Sequence, residues 1–96
     1  MIFATKQLNS TAILLAGYAQ DAQTLRICFR HGGVYDYSDV PFQMFQELLE
    51  AESCGQYYQQ IKGNYHCQKL PDKDAQQFLI NFMQQTPTQT VLVHSN

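Results

Sequence analysis

The 96-residue chain has no tryptophan, only three cysteines, and few charges, with 15% of its residues Asp, Glu, Lys or Arg. Cys28, Cys54 and Cys67 form an odd set without a CxxC pair, which argues against a disulfide framework and suits a reducing compartment. Six Lys and Arg stand against eight Asp and Glu, so the net charge of −2 provides no general pull on nucleic acid. No apolar run approaches the roughly 20 residues that cross a bilayer. The opening MIFATKQLNS lacks a cationic segment, a sustained apolar stretch and a small-residue cleavage site, so a cytoplasmic location is the expectation. P-loop, GxSxG, HExxH and dinucleotide fingerprints are all missing. Fourteen glutamines are scattered or paired rather than gathered into a low-complexity tract, and they read as uncharged surface.

Hydrophobic residues at 45%, six Phe and six Tyr among them, can furnish one compact core. A chain of this size hides about 60–65% of its unfolded surface. Its centre is Leu25 to Pro41, LRICFRHGGVYDYSDVP. Leu25, Ile27 and Phe29 alternate with Arg26, Cys28 and Arg30, the signature of a strand with two unlike faces. His31-Gly32-Gly33 can take the positive φ of a tight hairpin, and Val34 to Tyr37 returns as the next strand. Ala12 to Tyr18 supplies an earlier strand, with Gly17 marking a bulge or a close backbone approach, and Met1 to Thr11 reads as a lead-in.

Ser38 and Asp39 are candidate caps for a helix that Pro41 opens, and Phe42, Phe45, Leu48 and Leu49 form its apolar stripe. Ser53 and Gln56 have capping-box spacing, ahead of a short helix edged by Tyr57, Tyr58 and Ile61 that Gly63 can end. Tyr65 is expected to pack back. A third helix is predicted from about Asp72 to Gln85, with Phe78, Leu79, Phe82 and Met83 on one side, before Thr86-Pro87-Thr88 breaks it. Val91 to Val93 could form an edge strand, swap onto a neighbour, or fray.

Several side chains are candidates for recognition. Tyr35 and Tyr37 share one side of a strand and could stack unpaired bases, although rings so placed more often serve the core. Adjacent helical residues lie about 100° apart, so one of Tyr57 and Tyr58 is expected to face outward and make the better contact. Arg26 and Arg30, roughly 13 Å apart on one side of a strand, could span two phosphates, with Lys62 and Lys69 following the helices. The alternative is a solvated sheet face. Cys54 follows a helix cap, where a thiolate is favoured, but no His or acid is placed as its base. Cys54, His66, Cys67 and His31 lack metal-ligand spacing, and Glu47, Glu50 and Glu52 read as helix surface, so neither a metal nor a catalytic carboxylate pair is expected.

In order along the chain stand Asn9-Ser10-Thr11, Gly17-Tyr18, Gly33-Val34-Tyr35-Asp36-Tyr37, Val40-Pro41, Ala51-Glu52-Ser53-Cys54-Gly55, Tyr57-Tyr58 and Ile61-Lys62. This succession resembles the KTSC family, a small domain found alone in bacterial and phage proteins and at the C-terminus of some lysyl-tRNA synthetases. The resemblance covers about residues 8–70, and its centre is Tyr35-Asp36-Tyr37 with Val40-Pro41. It implies a compact meander followed by helices, no established catalytic site, and, by association with the synthetases, RNA binding. Tyr58-Gln59 and His66-Cys67-Gln68-Lys69 depart from the family pattern, which is often richer in arginine at the second position.

The expected architecture is α+β: a three-stranded antiparallel β-meander packed by two helices over residues 1–70, with a C-terminal helical extension over 71–96 in the same domain. The expected function is a small non-catalytic binding module for an unknown protein partner or for self-association, without membrane, metal or small-molecule cofactor. The alternative is binding of tRNA or single-stranded RNA through Arg26, Arg30, Tyr35, Tyr37, Tyr58, Lys62 and Lys69.

Overall fold

A computed structural model of the protein describes residues 2–84. Its elements in chain order are β1 (Ala4–Gln7), β2 (Ile13–Ala19), β3 (Thr24–Phe29), β4 (Val34–Tyr37), α1 (Phe42–Glu50), α2 (Cys54–Tyr58), β5 (Cys67–Lys69) and α3 (Asp72–Gln84). The strands form one antiparallel sheet in the order β1-β2-β3-β4-β5.

The α+β class and the central meander agree with the sequence reading, but the sheet has five strands rather than three. The two additional strands, Ala-Thr-Lys-Gln and Cys-Gln-Lys, are short edges whose side chains are mostly exposed. They lack the apolar alternation that betrays a half-buried strand, and backbone hydrogen bonds recruit them. Thus the lead-in contains β1, paired from Ala4↔Tyr18 to Gln7↔Leu15.

Alternation along β2, β3 and β4 makes a front and a back face. On the front, Ile13, Ala16, Tyr18, Leu25, Ile27 and Tyr37 are buried with Val40, Phe45, Leu48, Cys54 and Ile61, beneath α1 and α2. Tyr18 donates its hydroxyl to the Val40 carbonyl at 2.6 Å, which satisfies the polar tip of a buried ring. On the back, Leu15, Cys28 and Val34 form a smaller cluster under Leu70, Ala75, Phe78, Leu79 and Phe82. The sheet is therefore covered on both sides. Met83, predicted on the apolar side of the third helix, is 61% exposed.

Local chemistry explains the other departures. The β2 irregularity falls between Ile13 and Leu15, not at Gly17, whose added Cβ would sit 3.4 Å from Phe3. Phe3 therefore closes over that position. Pro41 is the extended N-cap of α1 with no side-chain hydrogen bond, so Ser38 and Asp39 do not cap it; Asp39 turns the chain at φ 58°. The Ser53 hydroxyl accepts from the Gln56 amide at 3.2 Å and caps α2 as its sequence suggests. Tight turns carry the chain onward from Tyr58 through Asn64, and Gly63 at φ 82° lies within them rather than at the helix end. Tyr65 packs back, its hydroxyl 2.9 Å from the Met44 sulfur. Gln85 and Val91 to Val93 lie outside the described residues.

Candidate functional site: a tyrosine pocket beside the sheet edge

The hairpin between β3 and β4, the turns after α2, and β5 converge on the front of the sheet. Phe29, Gly32, Tyr35, Tyr37, Tyr58, Lys62, Gly63 and Cys67 line a cavity of about 440 Å³ there. That is within the ordinary range for a small-ligand or side-chain pocket. Phe29 lies at the outer end of the front-face alternation, and its ring meets Tyr35 and Tyr58 edge-on at 5.7 and 5.3 Å between centroids. Tyr37 and Tyr58 continue the cluster at 6.0 Å. Each contact presents a ring edge to a ring face, the geometry that their quadrupoles favour.

At the floor, the hydroxyls of Tyr37 and Tyr58 share a 2.5 Å hydrogen bond in which either can donate. Burial holds the Tyr37 hydroxyl far above the ordinary phenol range, reinforced by the bonds to Tyr58 and the Cys67 thiol. Tyr37 is thus a neutral floor residue, only 2% exposed. It supports the pocket and cannot present its face for stacking. Tyr35 and Tyr58 are half-buried and form the walls that a ligand can reach.

Of the seven residues singled out for recognition, five gather here. Tyr35, Tyr37, Tyr58 and Lys62 line the cavity; Lys69 stands opposite Tyr35 in the β4–β5 register. Gly33 keeps this junction open, since an added Cβ would lie 3.0 Å from Lys69 Cε and 3.2 Å from a Tyr35 ring carbon. No acidic residue lines the cavity, and the exposed ammonium groups of Lys62 and Lys69 have no ion pair among the described residues. Its local sign is positive in a chain whose net charge is −2.

The arginine pair expected to span two phosphates is not assembled. Arg26 lies on the back face, where its Nε and Nη2 donate to the two Asp36 carboxylate oxygens at 2.7 and 2.8 Å. Its guanidinium also lies between the rings of Phe3 and Phe78, 4.1 and 4.8 Å from their centroids. Arg30 falls past the end of β3, its Nε donating to the Ser10 carbonyl at 2.5 Å. The strand ends before Arg30, so alternation no longer sets where its side chain goes.

The expected outward tyrosine is also absent. Tyr58 reaches the pocket, while Tyr57 donates to Glu47 at 2.6 Å, and both are half-buried. Burial and the Glu47 carboxylate push the Tyr57 hydroxyl up to about 12. In return, donation from Tyr57 and Gln43 holds Glu47 below the usual carboxylate range. Cys54 is buried, its thiol donating to the Leu48 carbonyl at 3.5 Å. Phe29, Gly32, Gly63 and Cys67 were not singled out as pocket residues. Phe29 is detectable as the last residue of the front-face alternation; Cys67 joins the site through pairing with distant Tyr37, for which its neighbours give no pattern.

A wider crevice of about 560 Å³ lies between β1 and α3. It contains Asp74 as well as Arg26, and Arg26 is already engaged by Asp36. The charge left on its wall is therefore the Asp74 carboxylate, opposite in sign to the Lys62 ammonium of the tyrosine pocket.

The KTSC domain model matches residues 9–65, more than half of the chain. The protein belongs to the KTSC domain family. A crystal structure of a KTSC domain protein from Yersinia pestis is similar over 73% of this chain and all of that chain, with a TM-score of 0.70 and 34% identity. An uncharacterised protein of Stutzerimonas stutzeri is 37% identical over 59 residues, which are 62% of this chain and 83% of that protein. A lysine–tRNA ligase of Trichormus variabilis is 41% identical over 54 residues, 55% of this chain but only 10% of the ligase. The family match ends before β5 and α3 begin.

Proposed function

We propose that the protein is a non-catalytic recognition module that binds a protein partner through the tyrosine pocket. The observation that carries this reading is the juxtaposition of half-buried aromatic walls with the unpaired Lys62 in one open cavity, with Lys69 next to it across from Tyr35 in the β4–β5 register. Aromatic bodies with polar tips provide contact area at little conformational cost, as at many protein interfaces. Among the described residues, the one thiol beside a helix start, Cys54, faces a backbone carbonyl instead of a base. The free cysteines suit a reducing, cytoplasmic setting.

The test is affinity capture with the wild-type protein, a Tyr58→Ala/Lys62→Glu variant and an Arg30→Glu control. Proteins retained by wild type and control but lost by the pocket variant fit the reading. Equal retention by all three contradicts it. Elution volume recorded alongside separates a heterologous partner from self-association.

RNA is the second reading, favoured by the ligase relatives and the free Lys62 and Lys69. Arg26 and Tyr37 leave its contact set because they are already engaged or buried. Three remaining cations predict a log–log salt slope of about 2 to 3. Anisotropy of labelled bulk tRNA at low and moderate salt checks this. Retention that is insensitive to Lys62→Glu/Lys69→Glu contradicts an RNA site here.

A further inference from the structure

We infer that the pocket's partner is an extended acidic peptide segment that adds to the sheet as a sixth strand along β5. This deepens the protein-partner reading and rests on it. β5 is an edge of the sheet and its three residues, Cys67, Gln68 and Lys69, are exposed. Its bonds to β4 are flanked by the Ser38 amide donating to the His66 carbonyl at 2.9 Å and the Leu70 amide donating to the Val34 carbonyl at 2.8 Å. Peptide groups alternate direction along a strand, so His66, Gln68 and Leu70 turn theirs toward β4. Cys67 and Lys69 turn theirs outward, and each offers an N–H and a C=O. An incoming backbone satisfies such a row with its own donors and acceptors, as in strand addition to an open edge.

The front-face chemistry specifies the side chains. Cys67 and Lys69 are paired with Tyr37 and Tyr35, so register sets all four toward the pocket side of the sheet; Cys67 lines the pocket itself, while Lys69 stands beside it and also borders a second cavity with Asp36 and Asp74. Residues of an added strand opposite Cys67 and Lys69 also face that side, because alternate residues share a face. The one opposite Cys67 lies by the Tyr37–Tyr58 floor and suits an aromatic or apolar side chain. Its neighbour two residues away lies by Lys69, with Lys62 on the cavity wall, and suits a carboxylate. The recognised pattern is thus an apolar and an acidic residue at i and i+2 of an extended chain. A nucleic acid can use the two lysines, but its backbone does not match alternating N–H and C=O groups. The opposite edge, β1, adjoins a crevice with Asp74; Asp74 also borders the back of β5 with Asp36, so the carboxylate of the added strand belongs on the front face.

The experiment uses a fluorescein-labelled peptide of roughly eight residues, a usual strand length, with tyrosine and glutamate alternating and threonine between them. Its anisotropy is followed with the wild-type protein and with Lys62→Glu/Lys69→Glu, whose fold is checked by circular dichroism. Two further peptides are N-methylated on alternate backbone nitrogens, one in each register, so that one of them loses the edge-facing donors. The expected result is saturable binding, weakened about tenfold or more by charge reversal and by N-methylation in one register, with slower amide exchange at Cys67 and Lys69. Binding unaffected by N-methylation in either register overturns strand addition while leaving the pocket reading intact. No peptide binding, with tRNA binding that Lys62→Glu/Lys69→Glu removes, overturns both. Binding of neither probe overturns the inference.

Discussion

Arg26 grips both carboxylate oxygens of Asp36 across paired strands, at 2.7 and 2.8 Å, while Phe3 and Phe78 cover its guanidinium from either side. The side chains of the pair are 15% and 21% exposed, so the charges are largely withdrawn from water. Removing one partner leaves the other without compensation. We expect Arg26→Ala to lose about 2–3 kcal/mol, less than the roughly 3–5 kcal/mol of a fully buried pair because both side chains keep some contact with water. Arg26→Ala should nevertheless retain any ligand of the front pocket. Urea unfolding measures the first effect and anisotropy the second; wild-type stability in Arg26→Ala would refute the structural role.

Alkaline destabilisation should begin near pH 10 and depend on Tyr37. Burial first, then its bonds to Tyr58 and Cys67, raises the folded-state pKa above the ordinary phenol value of about 10. The hydroxyl thus keeps its proton in the fold after the unfolded chain has released it. Its contribution is complete below about pH 10 and declines by up to about 1.4 kcal/mol per pH unit above that. Melting temperatures between pH 8 and pH 11 should fall less steeply for Tyr37→Phe than for wild type, and equal slopes would count against this assignment. Tyr57, raised to about 12, adds a smaller loss over the same interval because it is half-buried.

Gly33 links the hairpin to the pocket. Its φ of 74° lies in the left-handed region, and an added Cβ would crowd both Lys69 and Tyr35. Gly33→Ala should cost about 1–2 kcal/mol. The same substitution should shift the Tyr35 and Lys69 resonances more than those of β1. Matching stability for Gly33→Ala and Gly32→Ala would contradict the prediction, because Gly32 has open space around its Cβ position.

The three thiols should react in an order set by their cover. Cys67 is exposed, whereas Cys28 and Cys54 are buried. Burial also pushes the Cys28 thiol up, which reduces its thiolate fraction. Thiol-disulfide titration should show one fast group and two slow ones. Phe78→Ala, which thins the α3 cover over the Leu15–Cys28–Val34 cluster, should speed Cys28 by about tenfold if it releases roughly 1.4 kcal/mol of local protection. An unchanged Cys28 rate would mean that α3 does not govern access to it.

Side-chain pattern made the centre of the fold legible. Leu25, Ile27 and Phe29 announce β3, and Phe42, Phe45, Leu48 and Leu49 announce α1. Ala4–Gln7 and Cys67–Lys69 become strands through hydrogen bonds to a neighbour, a cause that leaves no period in their side chains. The shared side of Tyr35 and Tyr37 was also legible, because it follows from alternation alone. Burial of one ring and partial exposure of the other was not, because it depends on where α2 delivers Tyr58. Arg26 looked available for the same reason: Asp36 becomes its partner through strand register, ten residues away in sequence.

β4 and β5 touch in the sheet, yet the chain must make two helices between Tyr37 and Cys67 before they can pair. Closing so long a connection costs entropy that the short β2–β3 and β3–β4 turns avoid. Assembly is therefore expected to run from the central strands outward, with the pocket completed when β5 pairs. By the same reasoning β5 is expected to open without unfolding the centre, and its amides to exchange faster than those of β3.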